Sequence, residues 1–179
     1  MSGKWYRITT KQLCFMGLMI AMNFVLGLLN VQITPQIRIS ILAFLPIALV
    51  GMLMGPFYAA VAGGLGDVIN YLLITHVYGG YFPGYTLSAL LSGLCYGLFL
   101  YKKKLTWKRA TLSLVLPVFF CEMGLNTLWT YVTASWGYFI ANLPWRIVTN
   151  ILEYPLKVAC LVGMGKLIAR IPPSQFDLH

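Results

Sequence analysis

Charge is scarce in this sequence. Only 9% of its 179 residues are charged, and only four are acidic: Asp67, Glu122, Glu153 and Asp177. A water-soluble domain carries roughly 25% charged residues. With 59% hydrophobic residues and a mean hydropathy of +0.78, the chain has too few polar groups to cover a soluble surface, and a bilayer is the solvent that removes the need. Cysteine is sparse as well. Cys14, Cys95, Cys121 and Cys160 lie in apolar runs without CxxC spacing, which argues against a disulfide framework or a metal site. The sequence has no GxxxxGK[ST], so it does not hydrolyse ATP through a P-loop. HExxH, GxSxG and Cys/His clusters are also missing, and the isolated acids form no catalytic pair. The expectation is a chain that is not an enzyme and carries no cofactor. No two-fold repeat of the secondary-transporter kind is evident. A cleavable leader is not expected either, because the first apolar run is span-length and no small-residue cleavage site follows it.

Six apolar runs are present instead, at about 13–29, 41–54, 57–74, 86–101, 112–134 and 145–168. A spanning helix needs about 20 mostly apolar residues. The chain therefore has room for six spans and no soluble domain, and it reads as one six-helix transmembrane domain over 1–179. The net charge is +9. A basic chain can signal nucleic-acid binding. Here, however, the cations sit at the ends of apolar runs, as topology signals do, and no nucleic-acid partner is expected. With six spans, Lys4, Arg7, Lys11, Lys102, Lys103, Lys104, Lys108, Arg109, Lys166 and Arg170 share one side, ten of the 13 cations. This places both termini in the cytoplasm of a multi-pass cell-membrane protein. The outer loops, Asn30–Ser40, Thr75–Tyr85 and Ser135–Pro144, are rich in aromatics, Gly and Pro. Ring-rich loops serve as interface anchors or as the cover of a site open to the outside, and both readings stand. His76 reads as an interface histidine.

Charges within spans are expensive and suggest function. Four occur: Asp67, Glu122, Glu153 and Lys157. In the last run Arg146, Asn150, Glu153 and Lys157 are spaced 4, 3 and 4, on one helical face. Glu122, Asn126 and Trp129 are spaced 4 and 3 and share a face of the fifth run. Asp67 lies about 12 Å below the outer end of the third. Turning these faces together gives an outward-opening cavity, deepest near Glu122 and Glu153. The competing reading is internal neutralisation, with Glu153 and Lys157 as an i, i+4 pair and Glu122 either protonated or bonded to another helix. Arg146 follows Leu143-Pro144-Trp145, which places it at a helix N-terminus where an anion would meet free N–H groups. Its fork suits a carboxylate, and Arg38 in an outer loop is a second anion contact. Small residues recur at four-residue spacing, notably Gly17 with Ala21 and Ala59 with Gly63. Such faces let helices approach closely in lipid, either within the bundle or against a second membrane subunit.

Four stretches carry a family resemblance. Phe44-Leu45-Pro46-Ile47-Ala48-Leu49, Tyr81-Phe82-Pro83-Gly84-Tyr85-Thr86-Leu87-Ser88-Ala89, Leu125-Asn126-Thr127-Leu128-Trp129 and Leu143-Pro144-Trp145-Arg146-Ile147 occur in an order and spacing that resemble the S components of energy-coupling-factor vitamin importers, in particular the folate-specific branch. The likeness runs from about Phe15 to Ile168. It implies six transmembrane helices that capture one vitamin from outside. It also implies docking on a shared transmembrane coupling subunit, which two cytoplasmic ATPases drive. The family's docking motif on the first helix is matched only in part, by Gly17, Ala21 and Val25. With folate as the ligand, the chemistry of these residues leads to the expectation that Asp67 or Glu122, with Asn126 and Asn150, reads the pterin, whose amino and N3–H groups donate. Trp129, Tyr81 and Phe82 would pack on the rings. Arg146 or Arg38 would face anionic or carbonyl groups. Alternatives remain: an S component for riboflavin, thiamine or pantothenate, a small integral-membrane enzyme, or a scaffold subunit.

Overall fold

The computed structural model describes residues 9–28, 31–34, 37–39, 42–74, 76, 80–103, 105–133 and 136–170. Within these it is a bundle of six helices. α1 is Thr10–Leu28, α2 is Phe44–Leu53, α3 is Pro56–Leu73 and α4 is Pro83–Leu100. α5 runs Trp107–Thr133 and α6 runs Trp136–Arg170. Among the described residues, four helical stretches are long and apolar enough to cross a membrane: α1, α4, α5, and Leu143–Ile168 within α6. Their outward surfaces expose large apolar side chains such as Leu18, Leu98, Phe120 and Leu152, as expected where lipid replaces water. α2, with ten residues, is about 15 Å long and shorter than a span.

Four local features depart from the expected pattern. The polar segment after α1 contains a small antiparallel hairpin, β1 Val31–Thr34 with β2 Ile37–Ile39, where only loop was expected. The fifth helix starts at Trp107 and takes Lys108 and Arg109 into its first turns. Its middle, Leu116–Leu125, is a π-helix with Pro117 in the opening turn. The fourth feature corrects the placement of Arg146. Helix α6 already begins at Trp136 and carries Pro144 and Pro155 inside it, so the expected outer loop is largely helical and Arg146 is an interior residue. Proline removes one helical hydrogen bond, yet transmembrane helices tolerate it because neighbouring groups satisfy the freed backbone.

Tight helix contacts come from the small residues. α3 and α4 form the closest pair. A Cβ on Gly63 would stand 2.7 Å from the Ala89 carbonyl oxygen, and one on Gly93 would overlap the Ala59 carbonyl. Only glycine permits this approach. The α2–α3 corner turns at Gly55, whose φ of 106° suits glycine, with Pro56 opening α3. The core gathers Met19, Ile47, Val50, Ala59, Tyr96, Leu100, Leu114 and Leu161. Helix α6 closes the bundle against α5.

Candidate functional site

A cavity of about 150 Å³ opens between α1, α2, α3, α4 and the π-helical part of α5. Its polar lining consists of Asn23, Asp67, Asn70, Ser92, Tyr96 and Glu122, with Phe44, Ile47 and glycines completing the wall. None of the lining residues is cationic. Asp67 and Asn70 lie three apart on α3 and share a face. Asn70 Nδ2 donates to Asn23 Oδ1 at 3.3 Å, and Asn23 Nδ2 donates to the Ala43 carbonyl. Gly27 and Gly66 leave space for these amides: an added Cβ would lie 3.0 Å from Asn70 Oδ1 and 3.1 Å from Asn23 Oδ1. The Thr86 hydroxyl donates to Asp67 Oδ2 at 2.8 Å. That proton is then used, so Tyr81 donates its own hydroxyl to Thr86 Oγ1, also at 2.8 Å. A chain of hydroxyls thus leads from exposed Tyr81 to a carboxylate on the cavity wall.

Beside the cavity is a second, self-contained cluster. Phe82 caps α4 and packs on Trp129, with ring centroids 5.5 Å apart, and on Tyr85. Trp129 Nε1 donates to Ser88 Oγ at 3.0 Å, and Ser88 in turn donates to the Gly84 carbonyl. Arg146 reaches from α6 to α5, donating to Thr130 Oγ1 at 2.6 Å and to the Asn126 carbonyl at 3.2 Å. Asn150 Nδ2 donates to the Arg146 carbonyl at 2.9 Å. The side-chain oxygen of Asn126 is buried and accepts no hydrogen bond among the described residues.

A buried charge network lies across α5 and α6. Lys157 Nζ is 3.0 Å from Glu122 Oε2 and 3.2 Å from Glu122 Oε1, and 3.0 Å from Glu153 Oε2. Lys157 and Glu153 are buried, whereas a third of the Glu122 side chain is exposed, on the cavity wall. The internal-neutralisation reading matches this arrangement, with Glu153 and Lys157 as the i, i+4 pair and Glu122 bonded to another helix; of the two acids expected at the deep end of the cavity, Glu122 lines it and Glu153 does not.

The sequence-derived site residues therefore divide. Asp67 and Glu122 line the cavity; Tyr81 reaches it through Thr86. Phe82, Trp129, Asn126, Arg146 and Asn150 belong to the neighbouring cluster. Glu122 lines the cavity, whereas Asn126 and Trp129 do not. The π-helix between them bonds i to i+5 and turns less per residue than the roughly 100° of an α-helix, which breaks the assumed 3.6 repeat. The Arg38 side chain lies outside the described residues; its backbone pairs with Gln32 in the hairpin. Ala59 and Gly63 are buried against α4, whereas Gly17 and Ala21 face outward on α1. Sequence reasoning missed Asn23, Asn70, Ser92, Tyr96 and Thr86. Asn70 was within reach, three residues after Asp67; the others are uncharged and raise no alarm in an apolar run.

Comparison with known proteins agrees with this architecture. A family model described as the substrate-specific component of the ECF transporter matches residues 11–164. The folate transporter FolT of Clostridium novyi (strain NT) is 31% identical over 158 residues, covering 88% of this chain and 89% of the relative. The folate transporter FolT of Leuconostoc mesenteroides is 29% identical over 157 residues, covering 85% and 83%. Among solved structures, a crystal structure of FolT bound with folic acid superimposes with a TM-score of 0.78 at 33% identity, covering 88% of this chain and 94% of that one. The matched family is a transport component and not an enzyme. An apolar helical bundle of this shape, matched over residues 11–164, belongs to the substrate-specific components of ECF transporters.

Proposed function

We propose that this chain is the high-affinity folate-capturing subunit of an ATP-driven ECF importer in the cell membrane. It takes folate from outside and delivers it by docking on a transmembrane coupling subunit driven by two cytoplasmic ATPase subunits. Residues 1–179 act as a single six-helix domain with both termini in the cytoplasm. The observation that carries the ligand reading is the acid- and amide-lined cavity within apolar helices. A wall of Asp67, Glu122, Asn23 and Asn70 without a cation suits a ring edge rich in N–H donors, as the pterin of folate presents. It repels a carboxylate. The glutamate end of folate therefore stays outside this pocket, toward the loop carrying Arg38. The size agrees: about 150 Å³ falls below the roughly 300–1,000 Å³ of a pocket for a whole drug-sized ligand. Trp129, Tyr81 and Phe82 supply the aromatic surface beside the opening, and Asn126 has a buried acceptor to offer. Gly17 and Ala21 face outward and form the docking contact on α1; Ala59 and Gly63, placed inside the bundle, do not.

The test is calorimetric titration of the purified, ligand-stripped chain with folate, using riboflavin and thiamine as controls. Tight one-to-one binding of folate alone supports the reading. Tight binding of another vitamin instead would retain the importer role and replace the substrate.

A further inference from the structure

The connection between α4 and α5, together with the first turn of α5, carries an exposed basic surface that neither folate capture nor the buried charge network uses. Lys102, Lys103, Lys108 and Arg109 are all exposed, and no acidic residue occurs between Asp67 and Glu122. Trp107 is exposed in the same segment, and Leu98 and Leu112 are exposed on the flanking helices. The segment is also held in place. The Lys102 backbone N–H reaches the Met52 carbonyl at 3.5 Å, and the Tyr101 ring lies against Gly55 at the α2–α3 corner. On its other side Leu105 fills the place where Gly165 of α6 lacks a side chain, which brings exposed Lys166 to the same rim.

Topology alone asks only that cations lie on one side. It does not ask that they sit on a segment fixed at two points, beside an exposed indole and at the edge of the lipid-facing apolar surface. We infer that this surface is a binding site for the headgroup of an anionic phospholipid. The ammonium and guanidinium groups would hold the phosphate, Trp107 would lie at headgroup level, and Leu98 and Leu112 would meet the acyl chains. Lipid is favoured over an acidic protein because exposed apolar side chains border the basic cluster on the flanking helices.

Brominated lipids test this in vesicles holding the full chain. Quenching at Trp107, isolated by comparison with Trp107→Phe, is measured for brominated phosphatidylglycerol against brominated phosphatidylcholine. The expected result is preferential quenching by phosphatidylglycerol that weakens with salt and falls about fivefold for each cation removed. The paired variants Lys102→Gln with Lys103→Gln, and Lys108→Gln with Arg109→Gln, remove the cations two at a time, and folate affinity is expected to stay unchanged in both. Lys102→Arg with Lys103→Arg keeps the charge and retains the preference. Equal quenching by the two lipids overturns the proposal, as does a preference that survives both paired variants. Loss of coupling-subunit association in those variants without any lipid preference would reassign the surface to a protein partner and likewise overturn it.

Discussion

The cavity among α1–α5 and the cluster around Arg146 are built from similar residues and serve different ends. In the cluster, donors and acceptors meet within the chain: Arg146 on Thr130 and Asn126, Trp129 on Ser88, Asn150 on the Arg146 carbonyl. In the cavity, carboxylates and amides from three helices border open space. A charged side chain in a span signals importance, and its surroundings differ from case to case. Arg146 is a strap between α5 and α6. Asp67 is steadied by Thr86 and also borders the cavity. Glu122 belongs to both, held by Lys157 and still lining the cavity.

Substitutions can break or sharpen this contrast. The largest effect is expected from Lys157→Met, which leaves Glu122 and Glu153 without their ammonium. Removing one partner of a buried ion pair costs about 3–5 kcal/mol, so thermal unfolding in detergent should drop steeply. A small shift there would show that the network is well hydrated. Next is Asp67→Ala, which should weaken folate binding about 100-fold, in line with roughly 1.5–3 kcal/mol for a hydrogen bond to a charged group, with little change in unfolding temperature. Unchanged affinity would remove the cavity as the pterin site. Arg146→Ala should behave in the opposite way, costing about 1–3 kcal/mol of stability by releasing α6 from α5. If folate affinity falls more than stability does, Arg146 contacts the ligand after all. Trp129→Phe should have the smallest effect. It keeps the ring and loses the bond to Ser88, about 1 kcal/mol of stability and at most a severalfold change in affinity, read by chemical denaturation and calorimetry.

The sequence made the membrane helices readable because hydrophobic runs and cation placement are one-dimensional signals. It also marked Asp67 and Glu122, the carboxylates of the cavity wall, which stand out against apolar neighbours. Three things were not readable. The π-helix depends on how α5 accommodates Pro117 among its neighbours, and it breaks the 3.6 repeat assumed from Glu122 through Asn126 to Trp129. Pro144 suggested a helix start, but α6 continues through it, so Arg146 became an interior residue. Asn23 reaches the cavity only because Gly27 and Gly66 leave room beside the paired amides, a three-body arrangement without periodic trace.

The interlocked glycines of α3 and α4 carry one more consequence. With Gly63 against Ala89 and Gly93 against Ala59, these two helices slide or part only by breaking backbone contact, so they behave as one plank. A ligand larger than the cavity cannot be admitted by separating them. Against this plank α1 sets the Asn23–Asn70 amide bond beside its buried Met19 and Ile20, and α5 sets a widened, proline-bearing turn. Loading is then expected to be asymmetric, with α3 and α4 holding their places and any adjustment to a ligand falling on α1 or α5.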